Sequence, residues 1–536
     1  MVKKIISTVL LATTLLACVG CQDKYTGSGI VPDYSGSDKA LNMYAFIGPT
    51  DGTYYTSSGK PKKGEDHRTV ERYQEYKDCG FDTLLLLGND PFHGAGHVTT
   101  VEAEAEVYAT SQLKKNLDMC EEVGLQAIVF DNRIWQLTYA DKPLIKVGET
   151  AEILYVQAGG GTYLTNEYTV YEANSLGEPT KVTITASGFI ADVQHIQYQF
   201  EDMTALKSTL ELYMSSYRNH STFLGVSTLD EPPANGSKTS SVGDLTQAIK
   251  EIDPDIRVQT CLLPEYSSVD DAYEKYLDDY LTYSGNDIFS YDYYPFVGAE
   301  MNSETTENPQ VIKTYAACLQ KTAEVAEEHS VDWELILQSG GYNGWGTRFV
   351  NEADIRLQMN MALAFSADNI GYFTYWMFQT KAGLGYGQAI MSDTGEKILY
   401  DEVQRVNAEA KKLAKVILNF DYKKSYLGWY KGYESKPQYF ANAVSSDLSD
   451  IKSIEQTHPV IINEMYDEAR KQAGYMIVNA TETHEKSTNT ITVEFDQTKY
   501  AYAIVYINGE EEKVTLRDGK YTVTLNEGEG AFVLPY

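Results

Sequence analysis

Asp230-Glu231 closes a short apolar run and stands directly before Pro232-Pro233. A carboxyl beside another carboxylate holds its proton more tightly, so Glu231 is suited to donating a proton near neutral pH. Asp292, within Tyr291-Asp292-Tyr293-Tyr294-Pro295, closes another apolar run and is the candidate second catalytic carboxylate, with Asp131 and Glu265 behind it. Other run ends carry Asn89, Asp131 with Arg133, Gln338 and Trp376. Asp230, Gln338, Trp376, Tyr293, Asp131, Arg133 and Asn89 form the candidate substrate-binding set, with Arg133 as an orienting partner for Asp131 or for substrate oxygens. Carboxylates, amides and aromatic rings together suit acid–base chemistry on a neutral polyol with an apolar ring face. His93 and His97 lie four apart, but among glycines and without a Glu between them, so no metal is expected there. Neither a phosphate-binding glycine loop nor a Gly-x-Ser-x-Gly elbow occurs, and no cofactor is expected.

The elements that must position these residues repeat along the chain. Eight apolar runs read as strands: Leu41–Gly48, Thr83–Gly88, Gln126–Asp131, Phe223–Asp230, Arg257–Leu263, Ile288–Tyr294, Glu334–Ser339 and Ile370–Trp376. Being apolar on both faces, they suit a buried parallel sheet. Amphipathic stretches at Ser111–Val123, Ala205–Tyr217, Ser241–Ile252, Val311–Glu328, Glu352–Phe365 and Glu402–Val416 read as crossover helices. Strand–helix alternation repeated eight times predicts an α/β fold, a closed (β/α)₈ barrel over 39–420. In such a barrel, chemistry sits at the C-terminal ends of the strands, where all the candidate residues fall. Residues 137–200 hold alternating stretches that read as inserted hairpins, and residues 89–110 read as a long loop. From 421 to 536 short strand candidates separated by Asn508-Gly509 and Asp518-Gly519 predict a β-sandwich.

The chain has 536 residues and carries a formal charge of −32, from 44 Lys and Arg against 76 Asp and Glu. That charge repels polyphosphate and sets nucleic acid aside as a partner. It leaves open a local basic pocket for an acidic sugar. Residues 1–21 begin with Lys3 and Lys4, continue through an apolar stretch too short to span a bilayer, and end Leu15-Leu16-Ala17-Cys18 with Cys21 close behind. This is similar to a bacterial lipoprotein signal, which implies a lipid on Cys18 or Cys21, a membrane contact through that anchor only, and a place in the cell envelope, at the outer membrane. Residues 22–38 read as a flexible tether. The remaining cysteines, Cys79, Cys120, Cys261 and Cys318, lie scattered in strand and helix candidates and read as buried free thiols.

The chain resembles the clan A glycoside hydrolases, and in layout the family 42 β-galactosidases. The resemblance rests on Asp230-Glu231-Pro232 on the fourth strand, Tyr293-Tyr294-Pro295 on the sixth, Tyr372-Phe373-Thr374-Tyr375-Trp376 on the eighth, and the closing Gly528-Glu529-Gly530-Ala531-Phe532-Val533. It implies a carbohydrate substrate, Glu231 as general acid and Trp376 as a platform beneath the sugar. Two positions depart from the clan's pattern. Asp230 replaces an Asn, and Gln338 stands where the clan carries its nucleophilic Glu. A neutral amide cannot form a glycosyl ester. The expectation is therefore a glycoside hydrolase with a second carboxylate drawn from elsewhere, one in which a group of the substrate itself replaces the nucleophile, or a glycan-binding lipoprotein that has lost hydrolysis.

Overall fold

The computed structural model describes residues 31–55, 61–86, 100–139, 142–146, 151–232, 237–265, 271–297, 314–342, 346–377, 387–428, 448–481, 483 and 486–536. Cys18, Cys21 and Asn89, the leader at 1–21 and most of the tether lie outside them.

The chain opens with β1 (Asn42–Ala45), a small hairpin of β2 (Thr53–Tyr55) and β3 (Pro61–Lys63), α1 (Val70–Asp78) and β4 (Thr83–Leu86). Then follow α2 (Val101–Ala109), α3 (Gln112–Val123), β5 (Gln126–Val129) and α4 (Asn132–Thr138). Residues 101–109, expected as loop, are thus helical. Thr100 caps α2, its hydroxyl accepting from the Ala103 N–H, and Glu102 and Glu104 stand in the first turn, where the helix dipole favours them. The insertion expected at 137–200 is a five-stranded antiparallel sheet of β6 (Ile153–Ala158), β7 (Gly161–Leu164), β8 (Tyr168–Ala173), β9 (Pro179–Ile184) and β10 (Ile190–Tyr198).

The barrel resumes with α5 (Met203–Met214), β11 (Phe223–Asp230), α6 (Ser237–Ile252), β12 (Arg257–Leu262), α7 (Asp271–Ser284) and β13 (Ile288–Tyr293). It closes with α8 (Ala316–His329), β14 (Asp332–Gln338), α9 (Glu352–Ala364), β15 (Asn369–Phe373) and α10 (Tyr400–Ile417). Eight parallel strands form a closed ring in the order β1-β4-β5-β11-β12-β13-β14-β15, β1 pairing with both β4 and β15.

Side chains alternate across each strand. Tyr44, Phe46, Leu85, Ile128, Cys261 and Ile336 point inward and pack together inside the ring. Met43, Ala45, Leu84 and Leu86 belong instead to the large core shared with the helices. The lower interior is polar. The Arg257 guanidinium pairs with Glu334, the Tyr44 hydroxyl donates to Glu334 Oε2 at 3.0 Å, and Gln259 Nε2 donates to that hydroxyl at 2.8 Å. Among the described residues Cys79, Cys120, Cys261 and Cys318 are free and buried, and no helix is long and apolar enough to cross a membrane.

The C-terminal part has β16 (Asp421–Gly428), β17 (Ile451–Gln456), β18 (Val460–Asp467), β19 (Gln472–Asn479), β20 (Asn489–Phe495), β21 (Tyr502–Ile507), β22 (Glu510–Thr515), β23 (Lys520–Leu525) and β24 (Gly530–Pro535). They form a six-stranded sheet, β16-β18-β19-β24-β21-β22, and a three-stranded one, β17-β20-β23. Ile462, Ile477 and Val533 of the first share one core with Ile491, Val493 and Leu525 of the second, as in a sandwich. Asn508-Gly509 turns β21 into β22 with φ of 50° and 73°, the left-handed pair that a tight hairpin requires.

A buried polar chain joins this sandwich to the end of β14. Arg348 donates to both Asp354 oxygens at 2.8 Å, and Thr483 of the sandwich donates to the same carboxylate. One turn on, Gln358 Oε1 accepts from the Gln338 N–H at 2.8 Å and its Nε2 donates to Gln338 O at 3.0 Å. The Gln338 amide is spent on backbone too. Its Nε2 donates to Gly340 O at 3.0 Å and Arg348 O at 3.1 Å, and its Oε1 accepts from the Phe296 N–H at 3.0 Å. Only an amide can serve both sets, because a carboxylate has no donor for two carbonyls. Gln338→Glu should therefore lower stability by roughly 3 kcal/mol, since it buries a charge against acceptors. Thermal melting of the two proteins checks this. Equal melting temperatures would mean the amide is not needed as a donor.

Candidate functional site

Three strand ends build the site. β11 ends on Asp230, aligned with Cys261 of β12, and β13 brings Asp292 to the same rim. The next residue, Glu231, has φ of 48°, a left-handed conformation that costs a non-glycine residue about 1 kcal/mol or more. It is held by its own N–H, which donates to Cys261 O at 2.8 Å. This turn carries the Glu231 side chain over β12, and its carboxyl comes within hydrogen-bonding reach of Asp292. The two strands are not neighbours, so the contact spans Cys261, whose thiol lies 3.7 Å from Asp292 Oδ1.

These acids have no cation among the influences on their protonation. Burial pushes Asp292 up to about 8, the Glu231 charge adds to this, and a hydrogen bond from Tyr294 opposes it. Glu231 is also raised, by burial first and then by the Asp230 charge, while the bond with Asp292 pulls it down. Asp230 is raised by burial against a hydrogen bond from Cys261. Asp230 and Glu231 reach solvent at the rim, whereas Asp292 is buried. Both shifts run in the direction that holds a proton at the Glu231–Asp292 contact, the state in which a carboxyl pair is an acid. Among the described residues no group of His, Cys, Asp and Glu is placed to hold a metal.

A cavity of about 780 Å³ opens beside these acids. Asp230, Gln259 and Cys261 reach it, and Phe46, Phe130, Trp135 and Phe373 supply aromatic walls. Glu231 and Asp292 are not on its lining. They stand at its edge behind Asp230 and Cys261. The loop after β1 adds Asp51, Glu65, His67 and Arg68, and the segment after β15 adds Asp393. Sequence reading missed these five, because they lie on irregular segments with no periodicity and no strand end to mark them.

The remaining candidates are placed as follows. Asp131 caps α4 and is fully buried; it accepts from Arg133 Nη2 at 2.7 Å and from the Tyr217 hydroxyl at 3.0 Å. Arg133 also donates to Glu104 at 2.8 Å and lies over the Tyr213 ring. This pair straps α4 to α2 and α5 and does not line the cavity. Tyr293 points outward, packed on Tyr315 with ring centroids 5.0 Å apart, because strand alternation puts Asp292 inward and its neighbour outward. Tyr294, next along, is the tyrosine that bonds Asp292. Gln338 is fully buried in the backbone contacts described above. Trp376 lines the cavity but is 1% exposed, with the tilted His67 ring packed against it at 4.7 Å and the Arg72 guanidinium 5.7 Å over its ring. Glu265 is half-buried and does not line the cavity.

No family model and no curated protein matches the chain. Solved structures do. An Anoxybacillus alpha-amylase is 12% identical, with 94% of this chain and 99% of that one covered and a TM-score of 0.45. A GH51 arabinofuranosidase from Xanthomonas axonopodis pv. citri is 10% identical, with 93% and 97% covered and a TM-score of 0.43. A beta-galactosidase from the psychrophilic Marinomonas ef1 is 12% identical at a TM-score of 0.40; the match takes in 70% of this chain and spans 60% of that enzyme's length. Likenesses of this depth carry no inference about reaction or substrate, and the barrel rests on its own strand pairing.

Proposed function

We propose that the chain hydrolyses glycosidic bonds at the cell envelope, tethered by a lipid on Cys18 or Cys21, with Glu231 as the acid that protonates the leaving oxygen. The observation that carries this reading is the Glu231–Asp292 contact at the strand ends of the barrel, beside an aromatic-walled cavity. Cleavage needs an acid that stays protonated near neutral pH, and a carboxyl pair sharing one proton provides it.

The contact also changes the role expected of Asp292. Retaining enzymes separate their two carboxyls by about 5–5.5 Å and inverting ones by about 6.5–9.5 Å. Hydrogen-bonding contact is shorter than both and leaves no room for a sugar or a water between the groups. In this reading Asp292 holds the proton on Glu231, and the carboxylate that activates water comes from another wall. Asp393 follows β15, which lies across the ring from β11; Asp51 and Glu65 follow β1, across from β12. They are the candidates for that role. A second reading, glycan binding without hydrolysis, is favoured by Gln338, whose amide is committed to backbone where the resembled clan has its nucleophile.

Glu231→Gln separates the two readings. Turnover across a glycan panel should fall by about 10²–10⁴-fold while binding persists; undiminished hydrolysis by the variant would sink the acid role. A wild type that binds glycans without releasing any product would leave the second reading.

The pH profile gives an independent check. The pair loses its last proton as pH rises through about 8, so kcat/KM should fall on that alkaline side. Asp292→Asn removes the neighbouring charge, and the alkaline limb should shift to lower pH. A limb that stays in place would contradict the shared proton.

A further inference from the structure

The described lining of the cavity is unbalanced in charge. Its acids are Asp51, Glu65, Asp230 and Asp393, and its basic side chains are Arg68 and His67. The Arg68 guanidinium is engaged outside this set: Nε and Nη2 donate to the two oxygens of Asp66 at 2.9 and 2.8 Å. The described lining of this cavity therefore offers no basic pocket for an acidic sugar. The aromatic walls add to the same field, since ring faces are electronegative.

An independent feature points the same way. Gln259 is 4% exposed and lies on the cavity lining. Its Nε2 is used on the Tyr44 hydroxyl, while its Oε1 has no hydrogen-bond partner. A buried acceptor without a donor is costly, and an incoming donor would relieve it. Further along the same lining, level with Cys261, Asp230 is an acceptor as well once ionised. The wall therefore asks for a ligand group with several N–H or O–H donors, and its field favours one that is positively charged.

We infer that the sugar seated against Asp230 and Gln259 is an amino sugar with a free, positively charged amine. This rests on the glycosidase reading above and names its substrate class. An ammonium group offers three donors and no acceptor, so it fits the two acceptors Asp230 and Gln259 Oε1 better than a hydroxyl does. A uronate brings a carboxylate towards four others and is repelled.

The test uses the full chain carrying Glu231→Gln, so that bound sugars are not consumed. Titration calorimetry or ligand-observed NMR compares glucosamine, galactosamine and mannosamine with the parent hexoses and the corresponding uronic acids. In at least one stereochemical series the amino sugar should bind about tenfold tighter than its parent, with the uronic acid weakest. That preference should shrink at high salt and in a second variant that adds Asp230→Asn. Neutral hexoses binding as well as amino sugars in every series would overturn this inference and leave the glycosidase reading standing, as would a uronic acid binding tightest. No sugar of any class binding would overturn both.

Discussion

The Glu231 and Asp292 carboxyls meet without a cation between them, and the rest of the site is arranged around that contact. Two ionised carboxylates in hydrogen-bonding contact repel strongly in a partly desolvated space, so the arrangement requires a proton. Its surroundings are consistent with this. Cys261 beneath is a thiol whose own ionisation is suppressed by burial and by the three acids around it, so it remains a weak donor. Tyr294 donates to Asp292 and is held in turn by aromatic contacts with Tyr342 and Phe373. The stability consequence has a definite sign. Asp292 binds its proton more tightly in the folded chain than at its ordinary value of 3.8. The resulting stabilisation is complete below that pH and is lost as pH rises through about 8. The site is therefore a place where the fold gives up stability at neutral and alkaline pH.

That cost calls for rigid support, which reaches the rim from behind β14. Gln338 fixes the backbone at Phe296, Gly340 and Arg348, so the segment after β13 and the segment after β14 are tied to one side chain. Gln358 and Asp354 on α9 extend the tie to Arg348, and Thr483 extends it to the sandwich. Two further contacts pin the same helix, Asn463 Nδ2 to Ala364 O at 2.9 Å and Asn360 Nδ2 to Gly528 O at 2.8 Å. The sandwich thus braces the helix on which the strand-seven end leans. This is a structural use for an amide at a position where chemistry was expected.

The barrel was legible in the sequence because its strands are apolar on both faces. Phe223–Asp230 was read to the residue, and the others shift by only a few at each end. Helices rich in Leu, Ala and Val were readable for the same reason. Four helices were missed, α1, α2, α4 and α7, and two of them, α1 and α7, bury mostly tyrosine: Tyr73 and Tyr76 in one, Tyr273, Tyr276 and Tyr280 in the other. Tyrosine at three- and four-residue spacing resembles strand or ligand-stacking composition when read alone. Its hydroxyl needs a polar partner that only the fold reveals, as where Tyr76 donates to Thr83 O at 2.8 Å. Asp230, Glu231 and Asp292 stood out as acids at strand ends, but their mutual contact did not. It depends on one left-handed residue and on reaching across a strand, and neither leaves a mark in residue spacing. The cavity's other acids come from loops, where side-chain direction follows turn geometry rather than a period.

The interior of the ring holds acids at two levels, and comparing them separates structure from chemistry. At the lower level Glu334 meets the Arg257 guanidinium and the Tyr44 hydroxyl. A buried carboxylate supplied with a cation and a donor has its charge offset in place. At the upper level Asp292 has a second carboxyl, a tyrosine and a thiol as neighbours, and no cation among them. Charge there can be neutralised only by a proton, which can also leave. Both levels are buried and polar, and both sit on inward-facing strand positions, so burial and residue type alone would rank them equally. What distinguishes them is the counterion.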